Sequence, residues 1–192
     1  MLDPRPVLLL LVLLVGACRS VVPGDTPEEQ RAHIDAWEQE TLEMLYAQHP
    51  EARAEVAEAA GYLAVHQRVL KVPIFGGGSG YGVVVDRTRE RRAYVRLDRM
   101  DVGGGLGTRN LRVVAVVSDP KLLEPKRSHW SFGGGAEAAA KSGESGAAGG
   151  AGAGAGKGGT KIYEMTEEGV SVTWTVYAIK LSLLRGLEEG GE

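Results

Sequence analysis

One cysteine, two phenylalanines and three tryptophans in 192 residues are the scarce side chains of this sequence. A lone thiol forms no intramolecular disulfide and builds no cysteine-based zinc site, so packing alone has to hold the fold. The four histidines, His33, His49, His66 and His129, stand singly, without metal-ligand spacing. No serine sits between glycines two residues to either side: Tyr81 follows Ser79 at that spacing and Ala147 follows Ser145, which removes a nucleophile elbow. The string Gly154-Ala155-Gly156-Lys157-Gly158-Gly159 fails as a phosphate loop, because Ala151 takes the first glycine position and Gly158 the Mg²⁺-binding hydroxyl position. The glycine runs at 76–82 and 103–107 match no dinucleotide fingerprint, since strands rather than a helix are expected after them. Nothing pairs a nucleophile with a base, so the expectation is a protein with no catalytic residues, cofactor or metal, and no nucleic-acid partner. Long apolar runs are absent too: Val7–Val15 is far short of the roughly 20 residues that span a bilayer.

What that short run does offer is a leader. A basic start at Arg5, the apolar core and the small-residue junction Val15-Gly16-Ala17-Cys18 have the layout of a secretory signal. The junction resembles the lipobox of bacterial lipoprotein precursors, in which the cysteine is lipidated and becomes the mature N-terminus. Residues 1–18 are therefore expected to be a signal peptide, with Cys18 the lipidated residue and Arg19–Asp25 a tether. With the three acyl chains of such precursors the anchor is stable, because two chains already suffice at ~0.8 kcal/mol per buried CH₂.

Charge is unevenly distributed. The net charge is −3. Residues 19–65 carry 3 basic and 10 acidic side chains, residues 66–127 carry 13 and 6, and residues 128–192 carry 5 and 8. Two readings of the basic middle third stand: neutralisation against an acidic helical arm, or attraction to anionic lipid headgroups. Its densest part is the turn with Arg87, Arg89, Arg91 and Arg92. That turn is either a solvated hairpin tip guarding an edge or an anion-binding prong, where each Arg contributes about 1 kcal/mol at an anionic surface.

Thr26-Pro27-Glu28-Glu29 supplies a capping box with proline at the first helical position. Ile34, Trp37, Thr41, Met44 and Leu45 then return to one face of a helix ending near His49-Pro50. A second helix is expected from about Pro50 to Ala60, with Ala52, Val56 and Ala59 on one side. From Tyr62 onward, short β-rich runs between glycine and charged turns predict an antiparallel sheet or barrel. The expected strands are Val69–Phe75, Gly80–Asp86, Ala93–Arg99, Leu111–Ser118, Trp130–Gly134, Lys161–Met165 and Val170–Leu184. Gly143–Gly159, with 9 glycines in 17 residues, is expected to be a flexible loop, because it buries too little side chain to offset its ordering entropy.

The order of these pieces resembles the SYLF domain family. The matching strings are Ala60-Gly61-Tyr62-Leu63-Ala64-Val65, the run from Gly76 through Val85, Val102-Gly103-Gly104-Gly105-Leu106-Gly107, Phe132-Gly133-Gly134-Gly135 and Thr160-Lys161-Ile162-Tyr163. The family usually has Phe-Pro in place of Val65-His66, Gln in place of Gly105 and Glu in place of Ser79. The resemblance covers roughly residues 44–187 and implies an α+β domain that binds phospholipid without enzymatic activity. The combined expectation is a single domain over 26–192: a curved antiparallel β-sheet or partial barrel with two N-terminal helices. It is expected on the periplasmic face of an outer membrane, anchored through Cys18 and binding anionic headgroups through Arg87, Arg89, Arg91 and Arg92. The alternative is a scaffolding module that docks an envelope protein partner.

Overall fold

The computed structural model describes residues 22–124, 129–141, 160–184 and 186–187, with the backbone alone for 129–141 and 166–178. Cys18 with its leader and the Gly143–Gly159 segment lie outside the described residues.

Helix α1, Pro27–Gln48, begins where its capping box predicts. The Glu29 amide donates to Thr26 Oγ1 at 3.2 Å, while the Glu29 carboxylate accepts from the amides of Asp25 and Thr26 at 2.8 and 3.4 Å. Its buried stripe is Ile34, Trp37, Glu38, Thr41 and Leu45, with Met44 only partly covered. Helix α2, Ala52–Glu58, is shorter than expected and turns Ala52 and Val56 inward. Val22 is also buried in this layer, so ordered packing starts inside the segment read as a tether.

Five strands follow: β1 Gly61–Lys71, β2 Phe75–Asp86, β3 Arg91–Val117, β4 His129–Lys141 and β5 Thr160–Leu183. They form one antiparallel sheet in the order β1-β2-β3-β5-β4, with a further β1–β3 pairing. The protein is thus α+β, a curved sheet with two N-terminal helices, and the sheet does not close into a barrel. The segmentation differs from expectation. Ala93–Arg99 and Leu111–Ser118 belong to the single strand β3, Lys161–Met165 and Val170–Leu184 to the single strand β5. Val69–Phe75 is split by the turn between β1 and β2. Glycine runs taken as breaks lie inside the strands.

The reason is a reversal built into β3. Its residues 91–102 pair with β2 and its residues 107–117 pair with β1, yet β1 and β2 are antiparallel to each other. Strand β3 therefore has to turn back between Val102 and Gly107, around the Val72–Ile74 turn. Gly103, Gly105 and Gly107 have φ of 143°, 147° and 135°, a region nearly closed to other residues. The Gly103 amide donates to the Ile74 carbonyl at 2.8 Å, which fixes the reversal to the turn it encircles. Strand β5 accompanies β3 from Leu183, opposite Val95, to Thr160, opposite Val117, so the two wrap the β1–β2 hairpin as one ribbon.

The outer face of this roll carries the helices, packed on Tyr62, Ala64, Tyr81, Val83, Tyr94 and Val114. The inner face packs Leu63, Val65, Val84, Val95, Leu97 and Leu111 around a second core. Leu123, from the 3₁₀ turn Pro120–Leu123, joins that core. On β2 the inner positions include Gly78, Gly80 and Gly82. A Cβ on Gly80 would stand 1.8 Å from the His66 carbonyl oxygen, so the curl leaves no room for a side chain there.

Candidate functional site

The arginine turn joins β2 to β3 at the helix-bearing end of the sheet, and all four guanidinium groups have partners within the chain. Arg87 donates to the carbonyls of Val56, Ala57 and Ala59, closing the C-terminus of α2. Arg89 pairs with Asp86 and Glu124. Arg91 donates to the Leu123 carbonyl at 3.2 Å. Arg92 reaches Asp35 and Glu38 on α1, and these bonds hold its guanidinium pKa above its ordinary value against the opposing effect of burial. Burial pushes the Asp86 carboxyl up, but hydrogen bonds from Thr88 and Arg89 outweigh it and leave the group below its ordinary value.

The same pattern recurs along the helix–sheet seam. Arg112 donates to Thr41 Oγ1 at 3.0 Å and pairs with Glu40, while Lys161 pairs with Glu55 at 2.6 Å. Hydrogen bonds from Lys161 and Tyr163 lower the Glu55 pKa. Basic strand residues thus meet acidic helix residues, as the first reading of the charge asymmetry expects.

The opposite end of the roll is different in kind. Leu70, Val72, Ile74, Phe75, Met100, Val102 and Leu106 are all exposed, with Ile74 at 62 %, Phe75 at 63 % and Met100 at 73 %. They come from two distant stretches of sequence: the β2–β3 pairing sets Val102 opposite Phe75 and Met100 opposite Gly77, which pairs with Leu70 on its other side, and Leu106 follows within the reversal. The α1 side chains meet the sheet at His66, Tyr81 and Arg112, well short of this tip. An apolar tip with no covering element among the described residues is a candidate interaction surface.

No family model, curated protein or solved structure matches the chain. The site is therefore argued from its own geometry. Among the described residues no three His, Cys, Asp or Glu side chains are placed to hold a metal ion, and no helix is long and apolar enough to cross a membrane. A shallow cavity of about 490 Å³ lies between α2 and the β5 start, lined by Glu55, Glu58, Val116, Ser118 and Lys161. Its ion pair is already satisfied internally, so it presents no unspent chemistry.

Sequence reasoning placed the candidate site at the arginine turn and missed the apolar tip. A signal for the tip was present: Leu70-Lys71-Val72-Pro73-Ile74-Phe75 puts apolar side chains where a turn ordinarily carries Gly, Asn, Asp or Ser. Trp37, on the helical stripe, is buried against His66 and Tyr81 and offers no aromatic anchor at the surface.

Proposed function

We propose that the protein is a lipid-anchored envelope protein whose SYLF-type domain binds phospholipid without catalysis, entering the bilayer by the apolar tip at the β1–β2 turn. The observation that carries this reading is the convergence of Ile74, Phe75, Met100 and Leu106 at one exposed end of the roll. A Phe side chain buries ~150–250 Å². Transfer of the exposed 63 % of Phe75 into an apolar phase at ~25 cal/mol/Å² contributes about 3 kcal/mol. Neighbours inserted alongside it bring the tip into the range of useful membrane affinity. A lipid anchor at Cys18 belongs to the same proposal: residues 19–21 separate it from the buried Val22, and at ~3.3–3.6 Å per residue that linker keeps Val22 within about 15 Å of the anchored residue.

Vesicle flotation of residues 19–192 tests the proposal. The wild-type domain is expected to float with phospholipid vesicles, and Ile74→Ser with Phe75→Ser to lose at least about a hundredfold of that association, since each 1.4 kcal/mol is tenfold. Equal flotation by the double variant would remove the tip from the mechanism. A folded wild type that does not float at all would shift the reading to an envelope protein partner on the same tip.

A further inference from the structure

The exposed side chains of the apolar tip are not chemically alike. All but one are pure hydrocarbon, and the exception, Met100, carries a thioether sulfur and is the most exposed of them at 73 %. Its place in the sheet explains that exposure. In its cross-strand row Met100 stands between Gly77 of β2 and Ala178 of β5, residues with no side chain and with a single methyl group. Its neighbours along the same face of β3 are Asp98, whose carboxylate is held by Arg96 at 2.8 Å, and Val102, itself 55 % exposed. Met100 therefore stands on the border between the apolar tip and the first charged row, where its sulfur meets water freely. The other two methionines after residue 18 are sheltered: Met165 is buried in the helix-side core and Met44 is partly covered against it.

We propose that Met100 is a site of reversible oxidation by hydroperoxides, and that the sulfoxide formed there releases the tip from the membrane. The inference rests on the membrane reading of the tip and adds its regulation. The sulfur lone pair attacks the outer oxygen of the peroxide, the O–O bond breaks as the S–O bond forms, and a proton passes to the departing oxygen, which leaves as water or an alcohol. Sulfur gives up two electrons and the peroxide takes them. Reversal consumes a dithiol, which leaves as a disulfide with one water, in the manner of the methionine sulfoxide reductases. Oxidation converts a flexible apolar side chain into a strong hydrogen-bond acceptor. In water that oxygen is solvated, whereas in hydrocarbon it loses its water and finds no donor. The inserted state is thus penalised and the free state is not, and a difference of that kind is what shifts an equilibrium between two states. The fold itself is spared, because Met100 contributes its side chain to neither core.

Residues 19–192 hold every described residue and no cysteine, so dilute hydrogen peroxide meets only thioethers as its readily oxidised sulfur. Peptide mass spectrometry is expected to place the first added oxygen on Met100, severalfold ahead of Met44 and Met165. Flotation with phospholipid vesicles is expected to weaken at least about tenfold on oxidation, equivalent to about 1.4 kcal/mol, and to return after treatment with methionine sulfoxide reductase and dithiothreitol. Met100→Leu, a volume-conserving change, is expected to float as wild type does and to keep that flotation in peroxide. Met100→Gln, which carries a polar acceptor of similar size, is expected to float as weakly as the oxidised protein with no peroxide added. First oxidation at Met44 or Met165 overturns the inference, as does equal flotation before and after oxidation of Met100, and both leave the membrane reading in place. A folded wild type that does not float before oxidation removes the membrane reading, and the switch with it.

Discussion

Gly80→Ala is the sharpest perturbation of the roll, because a single methyl group meets backbone rather than a side chain. The added Cβ would lie 1.8 Å from the His66 carbonyl oxygen and 2.9 Å from the Gln67 Cα. A carbonyl in the β1–β2 ladder has no rotamer to escape into. Accommodation requires β1 to lift away from β2, and adjacent strands hold their bonds only near ~4.7–4.9 Å separation. Overpacking alone costs about 1–3 kcal/mol, and loosening two ladder hydrogen bonds adds about 1 kcal/mol each. A loss of at least about 3 kcal/mol lowers Tm by roughly 6–12 °C for a chain of this size. Gly104→Ala provides the control. Nothing lies within 4 Å of its Cβ, and its φ falls outside the left-handed range taken by Gly103 and Gly105. That variant is expected to change Tm by less than about 2 °C, consistent with an exposed site where the change is within about 0.5 kcal/mol. Thermal unfolding followed by circular dichroism measures both. Equal Tm values for Gly80→Ala and Gly104→Ala would refute the placement of the β2 glycines beneath β1, and with it the register from which the roll is derived.

Arg92→Met leaves the Glu38 carboxylate buried with only the Tyr62 hydroxyl at 2.6 Å as a partner. Because Arg92 keeps 31 % of its side chain exposed, the expected loss is about 2 kcal/mol, below the ~3–5 kcal/mol of a fully buried pair; restoration of wild-type stability by adding Glu38→Gln checks it in urea titrations. Asp86 has a folded-state pKa below its ordinary value, so the unfolded chain takes up its proton first as pH falls. Its contribution is complete above the unfolded value near ~3.9 and is lost as pH drops through the lower folded one. Asp86→Asn is therefore expected to be less stable than wild type at pH 7 and to approach it as pH falls below the unfolded carboxyl value, and a stability gap that does not narrow there would contradict the assignment.

The sequence by itself determined the local features whose cause is local. The capping box at Thr26 and Glu29, the stop before Pro50 and the buried stripe of Ile34, Trp37 and Leu45 follow from bonding and periodicity within a few residues. The change from helical spacing to β-rich runs after Tyr62 follows in the same way, and with it the α+β class. Strand continuity through 103–107 was not legible, because a glycine run reads equally as a break or as a bend, and only pairing with two opposed strands decides between them. The fate of Arg87, Arg89, Arg91 and Arg92 was likewise undetermined: a run of arginines announces charge, while, beyond the neighbouring Asp86, their acidic and carbonyl partners come from α1, the end of α2 and the 120–124 segment. The complete apolar tip exists only once β3 turns back on itself. The β2–β3 pairing sets Met100 and Val102 beside the end of β2, and the reversal adds Leu106 and closes the inner face over side chains that an open sheet would have left in water.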